Sequence, residues 1–201
     1  MPVLENKLGI TSEAELAREE ERISKAAAKK LYDSGAIDKI PAGTFAGLQK
    51  IHRALFEKIY DFAGKLRDVN ISKGNFRFAP LAYLAQSLKA INKMPQKTFD
   101  EIVEKYVEMN IAHPFREGNG RAARIWLDIM LKKELKKVVD WNRVGRDEYL
   151  SAMRRSVVKD VEIKQLLKSA LTKKLGRDIF MKGLDASYYY EGYGEFETEN
   201  L

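Results

Sequence analysis

Cysteine is absent from the 201 residues, so neither a disulfide framework nor a thiolate site can organise this chain. Histidine is nearly absent too, with His52 and His113 as the two present. No apolar run of about 18 residues and no secretory leader is recognisable. These absences lead to the expectation of a soluble, cytoplasmic protein with no membrane partner. Aromatic residues are seldom interleaved with basic ones, and the net charge of +7 is dispersed along the chain. That argues against nucleic acid as a partner, although a basic surface still attracts nucleotides. The 45% hydrophobic content allows one sizeable core, in one domain or one domain with an appendage.

What is present is concentrated in twelve residues, His113-Pro114-Phe115-Arg116-Glu117-Gly118-Asn119-Gly120-Arg121-Ala122-Ala123-Arg124. One helical apolar pattern runs into this stretch and another runs out. Gly118, Asn119 and Gly120 all tolerate left-handed backbone, so the turn can aim successive N–H groups at one point as an anion nest. The helix that begins there adds its own free N–H groups and the positive end of its dipole. Arg121 and Arg124 are three residues apart and fall on one face of its first turn. Cations are unfavourable at that end unless a polyphosphate sits on it. Glu117 beside a phosphate site suggests Mg²⁺ shared between carboxylate and phosphate oxygens. His113 is the group able to take a proton near neutral pH.

The stretch resembles the signature of Fic-domain proteins, His-x-Phe-x-(Asp/Glu)-Gly-Asn-Gly-Arg-x-x-Arg, with every fixed position matched. The resemblance extends from about Lys30 to Gly192. It implies a Fic fold, an all-α bundle of about eight helices with one small β-hairpin, and an adenylyltransferase that moves AMP from ATP to a protein hydroxyl. In such a protein His113 is the base. The backbone of residues 118–120 and the Asn119 side chain hold the α- and β-phosphates, and Arg121 helps to position them. Arg124 takes the γ-phosphate, and Glu117 holds Mg²⁺.

Along the chain, residues 1–12 read as a loose arm and Ser12 as the N-cap of a helix reaching Ser34, with Glu15 three residues on. Thr44 caps a second helix carrying Phe45, Leu48, Ile51, Leu55, Phe56 and Ile59 at helical spacing. His52 lies in it and reads as a packing residue, since no ligand cluster stands nearby. Val69-x-Ile71 and Phe76-x-Phe78 alternate about a Lys73-Gly74-Asn75 turn and suggest a hairpin. By resemblance, Ser72, Lys73, Gly74, Asn75, Phe76, Arg77 and Phe78 are the flap that pairs with a target protein's backbone as an added strand. Further helices are expected from Pro80 to Met94, from Thr98 to His113, from Arg121 to about Val139, from Asp147 to Val157, from Asp160 to Leu171, and from Ile179 to Tyr190.

The last helix carries Ser187-Tyr188-Tyr189-Tyr190-Glu191-Gly192. Its plain reading is an aromatic helix end stopped by Gly192. It also resembles the family's inhibitory motif, (Ser/Thr)-x-x-x-Glu-(Gly/Asn), through Ser187, Glu191 and Gly192. The chain then divides into a catalytic domain over 1–175 and an inhibitory helix and tail over 176–201, joined by a polar turn around Gly176. Glu191 would occupy Arg124, and Tyr188, Tyr189 and Tyr190 would be the nearest phenols for self-modification. Relatives that transfer another phosphoryl-containing group, and a non-catalytic binding module, are the alternatives. The intact Gly120 favours AMP transfer over the kinase-like branch. A metal hydrolase on His113 and Glu117 lacks a third protein ligand. Homo-oligomers stay open.

Overall fold

A helix that is apolar or enclosed on every side must lie at the centre of its fold. In the computed structural model, which describes residues 3–201, that helix is α5 (Asn119–Leu135), with Ala122, Ala123, Ile125, Trp126, Leu127, Met130 and Leu131 all buried. Around it lie α1 (Glu13–Asp33), α2 (Phe45–Phe56), α3 (Leu81–Lys93), α4 (Phe99–Ala112), α6 (Arg146–Ser156), α7 (Val161–Ser169) and α8 (Arg177–Tyr190). The layered all-α bundle expected from the sequence is therefore the fold. Its caps follow the side chains at its helix starts. Ser12 accepts from the Glu15 N–H, Thr44 from the Gly47 N–H, and Thr98 with Glu101 forms a reciprocal capping box. The Trp126 indole N–H donates to Thr44 O at 2.9 Å and ties α5 to the start of α2.

Several boundaries differ from the sequence reading. α5 starts at Asn119 and ends at Leu135, where Lys136 turns left-handed with φ 55°. Val138 and Val139 leave that helix and form β3 (Val138–Val139), antiparallel to β4 (Leu171–Thr172). Two-residue strands have no alternation to detect, so this pairing is silent in the sequence. Asp128 of α5 secures it by accepting from the Val139 N–H and the Trp141 indole N–H, both at 2.8 Å. The expected hairpin is present but short. β1 (Ser72–Lys73) pairs with β2 (Phe76–Arg77) about Gly74-Asn75, and Gly74 takes the positive φ such a two-residue loop requires.

The two chain ends are more firmly attached than expected. Asn6 binds the carbonyls of Leu4 and Ile10, and the Lys7 N–H donates to Ile59 O at 2.8 Å. Residues 176–201 are packed into the body of the protein, with α8 following the polar turn around Gly176. Met181, Leu184, Tyr188 and Tyr190 belong to the same hydrophobic cluster as α5. Arg177 pairs with Asp33 and Glu199, and the buried Lys25 pairs with Glu21 and Asp185 while donating to Phe196 O. Among the described residues no helix is long and apolar enough to cross a membrane.

Candidate active site

The loop between α4 and α5 is built by its own short-range contacts. His113 caps α4 in left-handed conformation, φ 48° and ψ 65°. A non-glycine residue there costs on the order of 1–3 kcal/mol and persists only where its surroundings impose it. Phe115 is fully buried, stacked on His52 with ring centroids 3.8 Å apart. Asn119 closes the turn. Its side-chain oxygen accepts from the Phe115 N–H at 2.9 Å and its amide donates to Phe115 O at 2.7 Å. The Asn119 side chain is thus a latch for the loop, where the sequence reading had given it to the phosphates. His52 accepts at Nδ1 from the Gly64 N–H, which leaves Nε2–H to donate to Glu117 O at 2.7 Å. Burial holds its pKa at about 4, so it is a neutral packing histidine, as expected.

The anion nest is simpler than expected. Gly118 alone is left-handed, with φ 78°, while Asn119 and Gly120 already belong to the helix. A Cβ on Gly118 would lie 2.4 Å from the Phe56 ring. No side chain caps α5, and Ala122 N–H is the first to bond back, to Gly118 O. The N–H groups of residues 119–121 therefore form an open helix N-terminus, where anions are favoured by both hydrogen bonds and dipole.

His113 stands beside that terminus. Its Nδ1 meets Asn110 O at 3.2 Å. A carbonyl can only accept, so Nδ1 carries the proton and Nε2 is left as the acceptor. Phe78 of the flap stacks on the ring at 3.6 Å between centroids. Burial depresses the His113 pKa to about 4, with the cations Lys73 and Arg67 adding to the effect and Glu191 opposing it. The imidazole is neutral at pH 7 and able to accept a proton.

The two arginines diverge. Arg121, 1% exposed, turns to α1, where it pairs with Glu20, and reaches Glu117 at 3.1 Å. The rings of Phe56, Tyr188 and Tyr193 enclose its guanidinium. Its placement differs from the phosphate-positioning role expected for it, because the buried Glu20 of α1 claims it. Arg124 turns to α8. Its Nε–H donates to Ser187 Oγ at 2.6 Å, and one Nη donates to Ser187 O at 2.9 Å and to Glu191 Oε1 at 2.8 Å. Tyr149 OH lies 3.3 Å from the other Nη. Burial raises the Glu191 pKa, but the Arg124 guanidinium, with Lys73 and Arg121 behind it, overrides that and holds the carboxyl at about 2. A Cβ on Gly120 would lie 2.3 Å from Glu191 Oε1, so the small residue at 120 makes room for this carboxylate. Gly192, with φ 92°, ends α8, and Tyr193 N–H bonds back to Tyr188 O.

Tyr188 is 0% and Tyr190 3% exposed, with their hydroxyls bound to Ser24 and to the carbonyls of Trp141 and Val144. Of the three tyrosines expected as self-modification sites, Tyr189 alone is open, at 59%. Glu117 is half-exposed and accepts from the Gly118 N–H and Arg121. Among the described residues no group of three or more His, Asp or Glu side chains surrounds it. Glu117 is the single half-exposed carboxylate at the start of α5 among the described residues, and Mg²⁺ is commonly held by one or two carboxylates together with phosphate oxygens and water. Arg67, which no motif marked, donates to four carbonyls of this region. Its sole sequence signal is that it directly precedes the hairpin stretch.

Residues 44–131 match the Fic/DOC family. The chain is 33% identical over 163 residues to the protein adenylyltransferase VbhT of Bartonella schoenbuchensis, covering 75% of this chain and 33% of that protein. It therefore spans about a third of that relative's length. It is 27% identical over 140 residues to a probable protein adenylyltransferase Fic of Escherichia coli, covering 64% of this chain and 70% of that one. Among solved structures, BepC of Bartonella tribocorum with bound AMPPNP superposes with a TM-score of 0.68 at 20% identity, covering 85% of this chain and 92% of that one. A Fic domain from Bartonella quintana with bound ADP gives 0.70 at 20% identity, covering 90% and 94%. These superpositions bear on the fold.

Proposed function

From the match of residues 44–131 to the Fic/DOC family we propose that the chain is a protein adenylyltransferase held inactive by its own α8. The observation that carries this reading is the Glu191–Arg124 contact at 2.8 Å, one turn into the helix whose open N-terminus lies beside His113. A guanidinium fork matches a carboxylate and a phosphate equally well. Glu191 occupies the arginine that a γ-phosphate would need.

In the reaction, a hydroxyl of the target attacks the α-phosphorus of ATP. The bond to the bridging oxygen breaks, and pyrophosphate leaves. His113 Nε2 takes the hydroxyl proton, its tautomer set by the Asn110 carbonyl. The N–H groups at the start of α5 receive the phosphates and stabilise charge as it develops. Mg²⁺ held by Glu117 would supply further neutralisation of phosphate charge. Arg124, once free of Glu191, orients the γ-phosphate so that the α-phosphorus faces His113. The flap supplies unpaired backbone groups to an extended target segment, and Phe78 places that segment over the base. Catalysis of this kind is mostly positioning. A docked Glu191 thus leaves a site with every part present and the nucleotide misaligned.

The test is to incubate the wild-type chain, Glu191→Gly and Glu191→Gly/His113→Ala with ATP labelled at the α- or the γ-phosphate. Label on protein from the α-phosphate alone, in Glu191→Gly, is the expected result. Label from the γ-phosphate would assign a kinase, and none from either a binding module. Loss of His113 should lower transfer more than about 10²-fold while ATP still binds. Transfer retained within a few-fold would remove His113 from the reaction.

A further inference from the structure

Arg67 lies in the loop between α2 and β1 and is 2% exposed. Its Nε–H donates to His113 O at 2.7 Å. One Nη donates to Val69 O at 2.8 Å, and the other to Ala79 O at 2.5 Å and Ala112 O at 3.2 Å. Its backbone N–H donates to Pro114 O at 2.9 Å. Val69 and Ala79 are the two stems of the hairpin. Ala112 and His113 carry end carbonyls of α4, which have no donor within the helix. A cation is also favoured at that end of a helix. One planar fork thus joins both stems of the flap to the backbone of the left-handed His113.

We propose that Arg67 is the positioning residue of this site, clamping the base of the flap to His113 and so fixing the distance between the base and a strand held on the flap. The proposal rests on His113 as base and on the flap as the target-holding element. Ala79 N–H donates to Ile111 O of α4 at 3.0 Å, and the clamp surrounds this bond. A lysine at 67 would keep the charge but has no fork to span carbonyls on both sides.

The test compares Arg67→Met and Arg67→Lys in a Glu191→Gly background. Two readouts are independent of catalysis. In Arg67→Met the amides of Phe78 and Ala79 should exchange hydrogen at least about tenfold faster, while those in α2 and α5 are unchanged. The His113 titration, followed by NMR, should move above the parent's midpoint, because a cationic neighbour is gone and the ring is less enclosed. Lys73 on the flap is the remaining charged neighbour and is the same in both. Transfer of α-labelled AMP onto the chain itself should fall about 10²-fold with the KM for ATP nearly unchanged, and Arg67→Lys should recover part of the loss. Unchanged exchange and titration in a folded Arg67→Met protein would overturn the clamp, as would equally faster exchange throughout the core. If Glu191→Gly incorporates no AMP, the transferase reading fails, while exchange and titration still decide the role of Arg67.

Discussion

Two buried arginines, three residues apart on α5, pair with different helices. Arg121 meets α1 and Arg124 meets α8. Both are enclosed by aromatic rings, and both are paired with a glutamate. The glutamates differ. The Glu20 side chain is 3% exposed and accepts in addition from Tyr60 and Tyr193, so every part of it is enclosed. The Glu191 side chain is 20% exposed, follows the last turn of a helix, and has its second oxygen 3.6 Å from the solvent-exposed Lys73 of the flap. Glu20 is closed over on every side, whereas Glu191 lies at the edge of the protein. A buried ion pair is a structural tie when its surroundings close over both partners, and a switch when one partner sits at the edge.

The comparison can be broken at Glu20 first, where the largest effect is expected. Glu20→Ala leaves Arg121 buried with its main partner gone, and should cost about 3–5 kcal/mol, read as a lowered denaturation midpoint. A loss below about 1 kcal/mol would mean that Arg121 is not a structural tie. At Glu191 the effect should fall on rate instead. Glu191→Gly should raise AMP transfer about 10²-fold at saturating ATP and Mg²⁺, with a stability cost of about 1–2 kcal/mol, because Ser187 and Tyr149 still serve Arg124. Equal rates for the two proteins would reduce the tail to packing.

Acidity sharpens the same contrast. The Glu191 pKa is depressed to about 2, below the ordinary carboxylate value, so its contribution to tail docking is complete above about pH 4.5 and is lost only as pH falls towards 2. The His113 pKa is depressed to about 4, so the base is already free of its proton above pH 5. Transfer by Glu191→Gly should therefore vary less than about twofold between pH 6 and 8, and an acid limb near pH 6.5 would show that His113 is less enclosed than here. Among the substitutions the smallest effect is expected at Lys73. Its pair with Glu191 is long and exposed, so Lys73→Met should relieve inhibition by no more than about fivefold. A change as large as that of Glu191→Gly would shift the hold on the tail from Arg124 to the flap.

Much of this was legible in the chain. Ser12, Thr44 and Thr98 announced three helix starts through local capping chemistry. The twelve residues from His113 to Arg124 announced a loop and an open helix end beside a histidine, because each depends on neighbours a few positions away. Ser187, Glu191 and Gly192 were equally legible, and Arg124 meets the first two. Hidden were the contacts between distant segments. Glu20 claims Arg121, Lys25 anchors the tail, and β3 finds β4 across more than thirty residues.

By itself, then, the sequence determined the all-α bundle, the hairpin and the grouping of His113, Glu117 and the two arginines. Periodicity and capping act within a turn or two and are written in the order of residues. The tertiary structure decided what each arginine does. Residues three apart on a helix differ by only about 60° around its axis. The sequence therefore placed Arg121 and Arg124 on one face, and the choice between α1 and α8 lay in how those helices pack on α5. The same packing put Arg67 between the flap and His113, since carbonyls from three separate places converge only after the chain has folded.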